Sequence, residues 1–370
     1  MRSTSGATRI LPKRDRREQP FLIGLTPSQI KALPTSGAAY TNVLGRANDT
    51  ITVDMGTTGI GSAAACRAFA AGLIYIRSGT ESYREKVVTA LDTVRNWNYG
   101  ANGDYQSYYR QAQGWILAAD LIGYRSQAFL DFVETMTDYT SWSAPPGRAA
   151  WNSLYKCSWD AAINHGAVAR ASFQASALYL GDTGRFAESG RWMRCFWGDR
   201  SDWMTWNNST AVYGGFSTDG QYDPYQITWM HFPTAWVPVN PVEGDATRDG
   251  CIVVEVTRDN TSYSLNGSNQ PVWGLSGNQY LWTSLHGALV STLLMEKNGY
   301  PDVWSWSDSA PKRAVDYIYL WDNNWQAPPS AHQFSITKWM DSLINRKYGT
   351  SWPEAAGTAY GLCFTDWLPV

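Results

Sequence analysis

One arrangement recurs four times along this chain and limits its fold more than any other feature. An Ala- and Leu-rich run stops at a glycine, and after a short turn an aromatic residue opens the next segment. AFAAGLIYIRSGTESYREKVVTAL turns at Gly79 and carries Tyr83, and GWILAADLIGYRSQAFLDFVETM turns at Gly123 and carries Phe129. ASFQASALYLGDTGRFAESGRWM does so with Gly181 and Phe186, and LHGALVSTLLMEKNGYPDVWSW with Gly299 and Trp304. A glycine just past the last helical turn is the usual left-handed cap, and a short link between two helices makes an αα-hairpin. Four hairpins in one chain pack as neighbouring helix pairs, either in an open solenoid or closed into an (α/α) toroid. Their glycines lie 44, 58 and 118 residues apart, too uneven for a regular solenoid. The expectation is therefore an all-α toroid, or incomplete barrel of hairpins, with loop insertions.

The largest insertion is expected over about 198–277. It holds DWMTWNNSTAVYGGFSTDGQYDPYQITWMHFPTAW and then CIVVEVTR, where consecutive β-branched residues predict a strand from Cys251 to Arg258. A long aromatic insertion in a helical protein is more often functional than decorative. Upstream, residues 1–20 read as a polar, basic, disordered arm, leaving 21–370 as one domain. TPSQIKAL predicts the first helix start, with Thr26 as N-cap, Pro27 in the first turn and Gln29 completing a capping box.

The charge balance excludes one class of partner. Thirty Lys and Arg against 32 Asp and Glu give a net charge of -2, so there is no basic field for nucleic acid. No apolar run reaches signal-peptide or membrane-spanning length, which predicts a soluble chain that reaches any external substrate by another route. Release by lysis or association with a virus particle are such routes. Cys66, Cys157, Cys195, Cys251 and Cys363 are scattered singly, without metal-ligand spacing, and read as small buried hydrophobes. No cofactor or metal is expected.

Two residue sets are candidates for chemistry. Asn164 and His165 stand side by side near the start of SWDAAINHGAVARASFQASALYLGD, a helix otherwise small and apolar. Helices arranged in a ring leave such ends around a central cleft; the alternative is a satisfied core histidine beside an amide. The second set comes from the 20 tryptophans, which build core or stack on sugar rings. Trp115, Trp159, Trp206 and Trp229 are the stacking candidates, with His231 as a substrate-side residue of the insertion, whereas His286 and His332 sit in helical patterns and read as structural.

Three stretches, in order, resemble the alginate-lyase-type polysaccharide lyases. RQAQGWILAADLIGY is similar to that family's Gly-Trp helix followed by an Ala-Ala-acidic-Leu stretch. INHGAVARASFQASALYLGD is similar to its Asn-Asn-His-Gly helix, with Ile163 where the family has the first Asn. YLWTSLHGALVSTLLMEKNGYPDVW, followed by KRAVDYI, resembles its Tyr-bearing helix and the Arg-Ala-Val-Asp helix after it. The likeness spans about residues 110 to 320.

The resemblance implies an (α/α) toroid and β-elimination at a uronic acid of an anionic polysaccharide. A base removes the proton beside the carboxylate while the glycosidic oxygen leaves from the neighbouring carbon. The enzyme must neutralise the carboxylate and hold the enolate-like charge, tasks that suit an amide and a guanidinium. By that likeness Asn164 holds the carboxylate, and His165 is base or charge stabiliser. Arg258, in EVTRDNTSYSL, supplies the cation, and Tyr280 or Tyr263 supplies the acid. Two other readings remain. A glycoside hydrolase on the same toroid needs paired carboxylates, for which Asp160, Glu255 and Asp259 are available. A non-catalytic glycan-binding module needs none of them.

Overall fold

In the computed structural model the described residues are 19–56, 62–97, 99, 105–137, 154–160, 164–198, 250, 264–265, 271–272, 277–324, 340–352 and 362–370. They are mainly helical: α1 (Pro27–Lys31), α2 (Ala38–Asn48), α3 (Ala64–Ser78), α4 (Glu81–Arg95), α5 (Tyr105–Leu121), α6 (Gln127–Thr137), α7 (Leu154–Asp160), α8 (Asn164–Leu180), α9 (Thr183–Phe196), α10 (Gly277–Lys297), α11 (Trp306–Asn324) and α12 (Asp341–Tyr348). Between α9 and α10 lies a two-residue antiparallel ladder pairing β1 (Ser264–Leu265) with β2 (Pro271–Val272). The predicted strand Cys251–Arg258 and most of the arm and insertion lie outside the described residues. Among the described residues no helix is long and apolar enough to cross a membrane.

The local signals in the sequence form as expected. At α1 the Gln29 amide donates to Thr26 Oγ1 at 3.2 Å, and the Thr26 amide donates to Gln29 Oε1 at 2.8 Å. Four hairpins follow: α3–α4, α5–α6, α8–α9 and α10–α11. Their turning glycines, Gly79, Gly123, Gly181 and Gly299, all have positive φ, a backbone region that costs other residues about 1 kcal/mol or more. At Gly123, Gly181 and Gly299 the next residue's amide reaches back five positions: Tyr124 to Ala119, Asp182 to Ala177 and Tyr300 to Met295. These bonds satisfy the last carbonyls of each helix.

The aromatic that opens each return helix joins its hairpin to a neighbour. Phe129 sits edge-on to Tyr179 of α8 at 5.9 Å, and Phe186 sits edge-on to Tyr300, beyond α10, at 5.9 Å. Arg125 Nη2 donates to Tyr179 O at 2.7 Å, and the Tyr179 hydroxyl donates to Tyr124 O. Ahead of α11's regular part, Ser307, Asp308 and Ser309 take left-handed backbone, and the Arg313 side chain donates to the carbonyls of Ser307 and Asp308.

The first helices of the hairpins, α3, α5, α8 and α10, form the interior. Small residues let them approach backbone to backbone. A Cβ on Gly114 of α5 would lie 2.9 Å from Ala65 Cβ of α3, and one on Gly72 of α3 would lie 3.1 Å from Leu121 Cδ1 of α5. Both positions advance together, so α3 and α5 are parallel. Between α5 and α8 a hydroxyl enters the helix ladder: the Gln113 amide donates to Ser172 Oγ at 3.1 Å, and that hydroxyl donates to Tyr109 O at 2.6 Å. Arg125 and Tyr179 pair further along in the same sense, so α8 also runs parallel.

A Cβ on Gly287 of α10 would lie 2.5 Å from Ala167 C of α8. Return helix α9 runs back along α10, Phe186 meeting Tyr300 and Trp197 Nε1 donating to Thr292 Oγ1 at 3.0 Å. Thus α10 is parallel to α8 as well.

Both chain ends tie this row together. At its C-terminal end, the Leu22 amide donates to Asp120 Oδ2 at 2.9 Å, while Asn298 Nδ2 donates to Leu22 O at 3.0 Å. Residues 362–370 cross from α10 to α3. Leu362 O lies 3.4 Å from His286 Nε2, and Phe364 stacks on Phe69 at 6.3 Å. Trp367 Nε1 then donates to Pro34 O at 3.0 Å.

Two glycine substitutions separate helix propensity from close approach. Gly287→Ala drives a methyl into the Ala167 backbone and is expected to destabilise by about 3 kcal/mol, as overpacking does. Gly45→Ala, in α2 with nothing within 4 Å of the added methyl, is expected to stabilise by about 0.5 kcal/mol. Urea midpoints for both variants check this; equal effects would remove the backbone-to-backbone contact.

Candidate functional site

Helix α8 is buried on nearly every side: Asn164 through Ala177 and Tyr179 are all buried. Its sequence carries a single charged residue, Arg170, which is how such a helix tolerates a central position. Asn164 and His165 open it. Asn164 has no exposed surface and His165 is 7% exposed, so His165 is the member of the pair that solvent touches.

Register then places the neighbouring helices. Asn164 lies three residues before Ala167, the point of contact with Gly287. Tyr280 lies seven residues before Gly287, two helical turns or about 10.5 Å, and so belongs to the same face of α10. The amide–imidazole pair and the position of Tyr280 therefore lie toward one end of the α8–α10 contact. Because the interior helices are parallel, their N-terminal ends point the same way, and the partial positive charges of those ends favour an anion there.

Other buried polar side chains accompany the pair. Arg170 Nη1 donates to Ser158 O at 3.0 Å, and its guanidinium lies 5.2 Å from the Phe196 ring centroid. Arg110 of α5 is also buried. Gln113 of α5 and Gln174 of α8 are buried too, and their side-chain amides have no hydrogen-bond partner among the described residues. Gln111 Nε2 donates to Asp54 O at 3.1 Å, and Ser107 Oγ donates to Gly56 O, fixing the 51–56 segment against α5. Burial pushes the Tyr108 phenol up, where it packs edge-on to Tyr99 and Phe132, so Tyr108 stays protonated. The buried acids among the described residues, Asp120 and Asp341, are engaged by the Leu22 amide and the Tyr319 hydroxyl.

Of the sequence-predicted residues, Asn164 and His165 open α8, and Tyr280 lies in the first turn of α10. Trp115 is 1% exposed on α5, which makes it a core residue with no free face for a sugar. Trp192, Trp197, Trp282, Trp304, Trp306 and Trp367 are buried too. Trp159 lies in α7, and its side chain, like that of Tyr280 and of Asp160, is outside the described part. Arg258, Tyr263, Trp206, Trp229, His231, Glu255, Asp259 and His332 lie outside the described residues.

Arg110, Arg170, Gln113 and Gln174 escaped the sequence reading. Their signal was available in principle: α5 and α8 carry polar side chains on every face of helices too poor in charge to be solvent-exposed. No group of His, Cys, Asp and Glu suited to a metal occurs among the described residues.

His286 fills the structural role expected of it. It is fully buried on α10, and burial pushes its imidazole down to about 4. Unfolded, it would titrate near the ordinary 6.5, so between these values the unfolded chain binds the extra proton. Its contribution is full above pH 6.5 and is lost as pH falls toward 4, amounting to about 3 kcal/mol. Urea unfolding of wild type and His286→Gln across that range is expected to show a shallower pH slope in the variant; equal slopes would count against it.

No protein-family model matches the chain, and no curated protein matches it.

Proposed function

We propose that this protein is a polysaccharide lyase that cleaves a uronic-acid-containing polysaccharide, such as alginate, by β-elimination on an (α/α) toroid. The observation that carries the reading is the Asn164–His165 pair opening the largely buried helix α8, amid parallel helices whose positive ends face the same way. The resemblance of three ordered stretches to the alginate-lyase-type lyases supplies the reaction class.

In this reading the sugar carboxylate meets His165 first, with Asn164 behind it. Asn164 donates its amide hydrogens to a carboxylate oxygen. That partial neutralisation lowers the cost of removing the adjacent carbon-bound proton. His165 takes the proton as a neutral imidazole, or as imidazolium stabilises the enolate-like charge. Arg258 adds a second, charged contact to the carboxylate. Tyr280, the tyrosine of the helix that resembles the family's Tyr-bearing helix, gives its proton to the departing glycosidic oxygen, with Tyr263 as the alternative acid. No water is consumed, and the new sugar end carries a carbon–carbon double bond conjugated to the carboxylate. Access by release from lysed cells, or on a virus particle, fits an enzyme acting on an external glycan.

A glycoside hydrolase on the same toroid would draw on Asp160, Glu255 and Asp259, whose side chains lie outside the described part.

The test is a panel of uronate polymers assayed for ultraviolet absorbance of unsaturated ends. Wild type is expected to generate absorbance on at least one polymer. His165→Ala is expected to lose about 10²–10⁴-fold in rate and Asn164→Ala about 10²-fold, with circular dichroism spectra unchanged. Tyr280→Phe is expected to be inactive and Tyr263→Phe active. New reducing ends without absorbance would replace the lyase by a hydrolase, and binding without cleavage would replace it by a glycan-binding module.

A further inference from the structure

Cys66 and Cys363 stand 297 positions apart in sequence, yet their sulfurs lie 2.7 Å from each other. Both are fully buried. Cys66 belongs to α3, and Cys363 to the terminal segment that crosses from α10 to α3. Packing on either side fixes the meeting. Phe69, one turn after Cys66, stacks on Phe364, the residue after Cys363, and on the other side Leu362 O faces His286. Phe364 itself has positive φ, and the Trp367 and Leu368 amides both donate to its carbonyl, so the segment is held in a defined turn. The third cysteine with a described side chain, Cys157, is buried on α7.

We propose that Cys66 and Cys363 are a redox pair that forms a disulfide when the protein meets an oxidised low-molecular-weight disulfide, stapling the C-terminal segment to α3. The chemistry is thiol–disulfide exchange. One cysteine, as thiolate, attacks a sulfur of glutathione disulfide; that S–S bond breaks, a mixed disulfide forms and one glutathione thiolate departs. The second cysteine thiolate attacks the protein sulfur of the mixed disulfide and expels the second glutathione. Two protein thiols are oxidised, one glutathione disulfide is reduced, and the two protons end on the departing thiolates. Burial pushes the Cys363 thiol well up, so the closed form reacts slowly and exchange proceeds through opening of 362–370 or during folding. A link closing so long a loop restricts the unfolded chain strongly.

The test uses the full chain, both native and refolded from urea, incubated with glutathione disulfide, alkylated and digested with trypsin. The expected product joins the peptides 47–67 and 348–370 at two hydrogens below their summed mass. Thermal unfolding is expected to shift up by about 5 °C, reversed by dithiothreitol. Cys363→Ser and Cys66→Ser should each abolish both effects, and because the mass readout comes from wild type it stands even if a variant misfolds. Recovery of both peptides alkylated after oxidation by either route overturns the proposal. So does a link from either cysteine to Cys157, Cys195 or Cys251.

Discussion

The structure depends on how closely its interior helices approach one another. Ala65 against Gly114, Ser172 within the Tyr109–Gln113 turn, and Ala167 against Gly287 bring α3, α5, α8 and α10 near backbone contact. Larger side chains at these points would push the helices apart and break the row. Close approach has a second effect: little volume is left between the helices, so the polar side chains there are shut away from water. Burial of Asn164, Arg110, Arg170, Gln113 and Gln174 follows from the same contacts that hold the fold. Fold and candidate site are thus one problem, not a scaffold with a site added to its surface.

Parallel orientation is the other consequence. Helix α9 runs back from α8 along α10, and the interior helices α3, α5, α8 and α10 start at the same end. Helix-end partial charges that would oppose one another in an antiparallel bundle here add. Asn164 and His165 open α8 at that end, and the opposite end is tied by Leu22, between Asp120 and Asn298. The partial positive charges of the first end favour an anion there.

What was legible in the sequence was local. Gly79, Gly123, Gly181 and Gly299 announced their turns because left-handed caps are decided within five residues. Thr26 and Gln29 did the same for α1. Long-range consequences were not legible. Nothing in the spelling of α8 says that Ser172 inserts into a turn of α5, and nothing in the spacing of Cys66 and Cys363 says that they meet. Trp115 shows the opposite failure: an aromatic suited to a sugar face is equally suited to filling a core, and neighbouring helices decide which. Asn164 and His165 stood out because an apolar helix made them conspicuous, whereas Gln113 and Arg110 were hidden in a run already rich in polar residues.

The central claim is elimination at a uronic acid beside Asn164 and His165. Its most direct test is digestion of the susceptible uronate polymer in water carrying heavy oxygen, with mass spectrometry of the released oligosaccharides. Elimination leaves the products one water lighter than hydrolysis products at the new non-reducing end, with no heavy oxygen fixed by bond cleavage, and the His165→Ala protein releases none. Heavy oxygen incorporated at each cut, or undiminished cleavage by His165→Ala, would contradict the account.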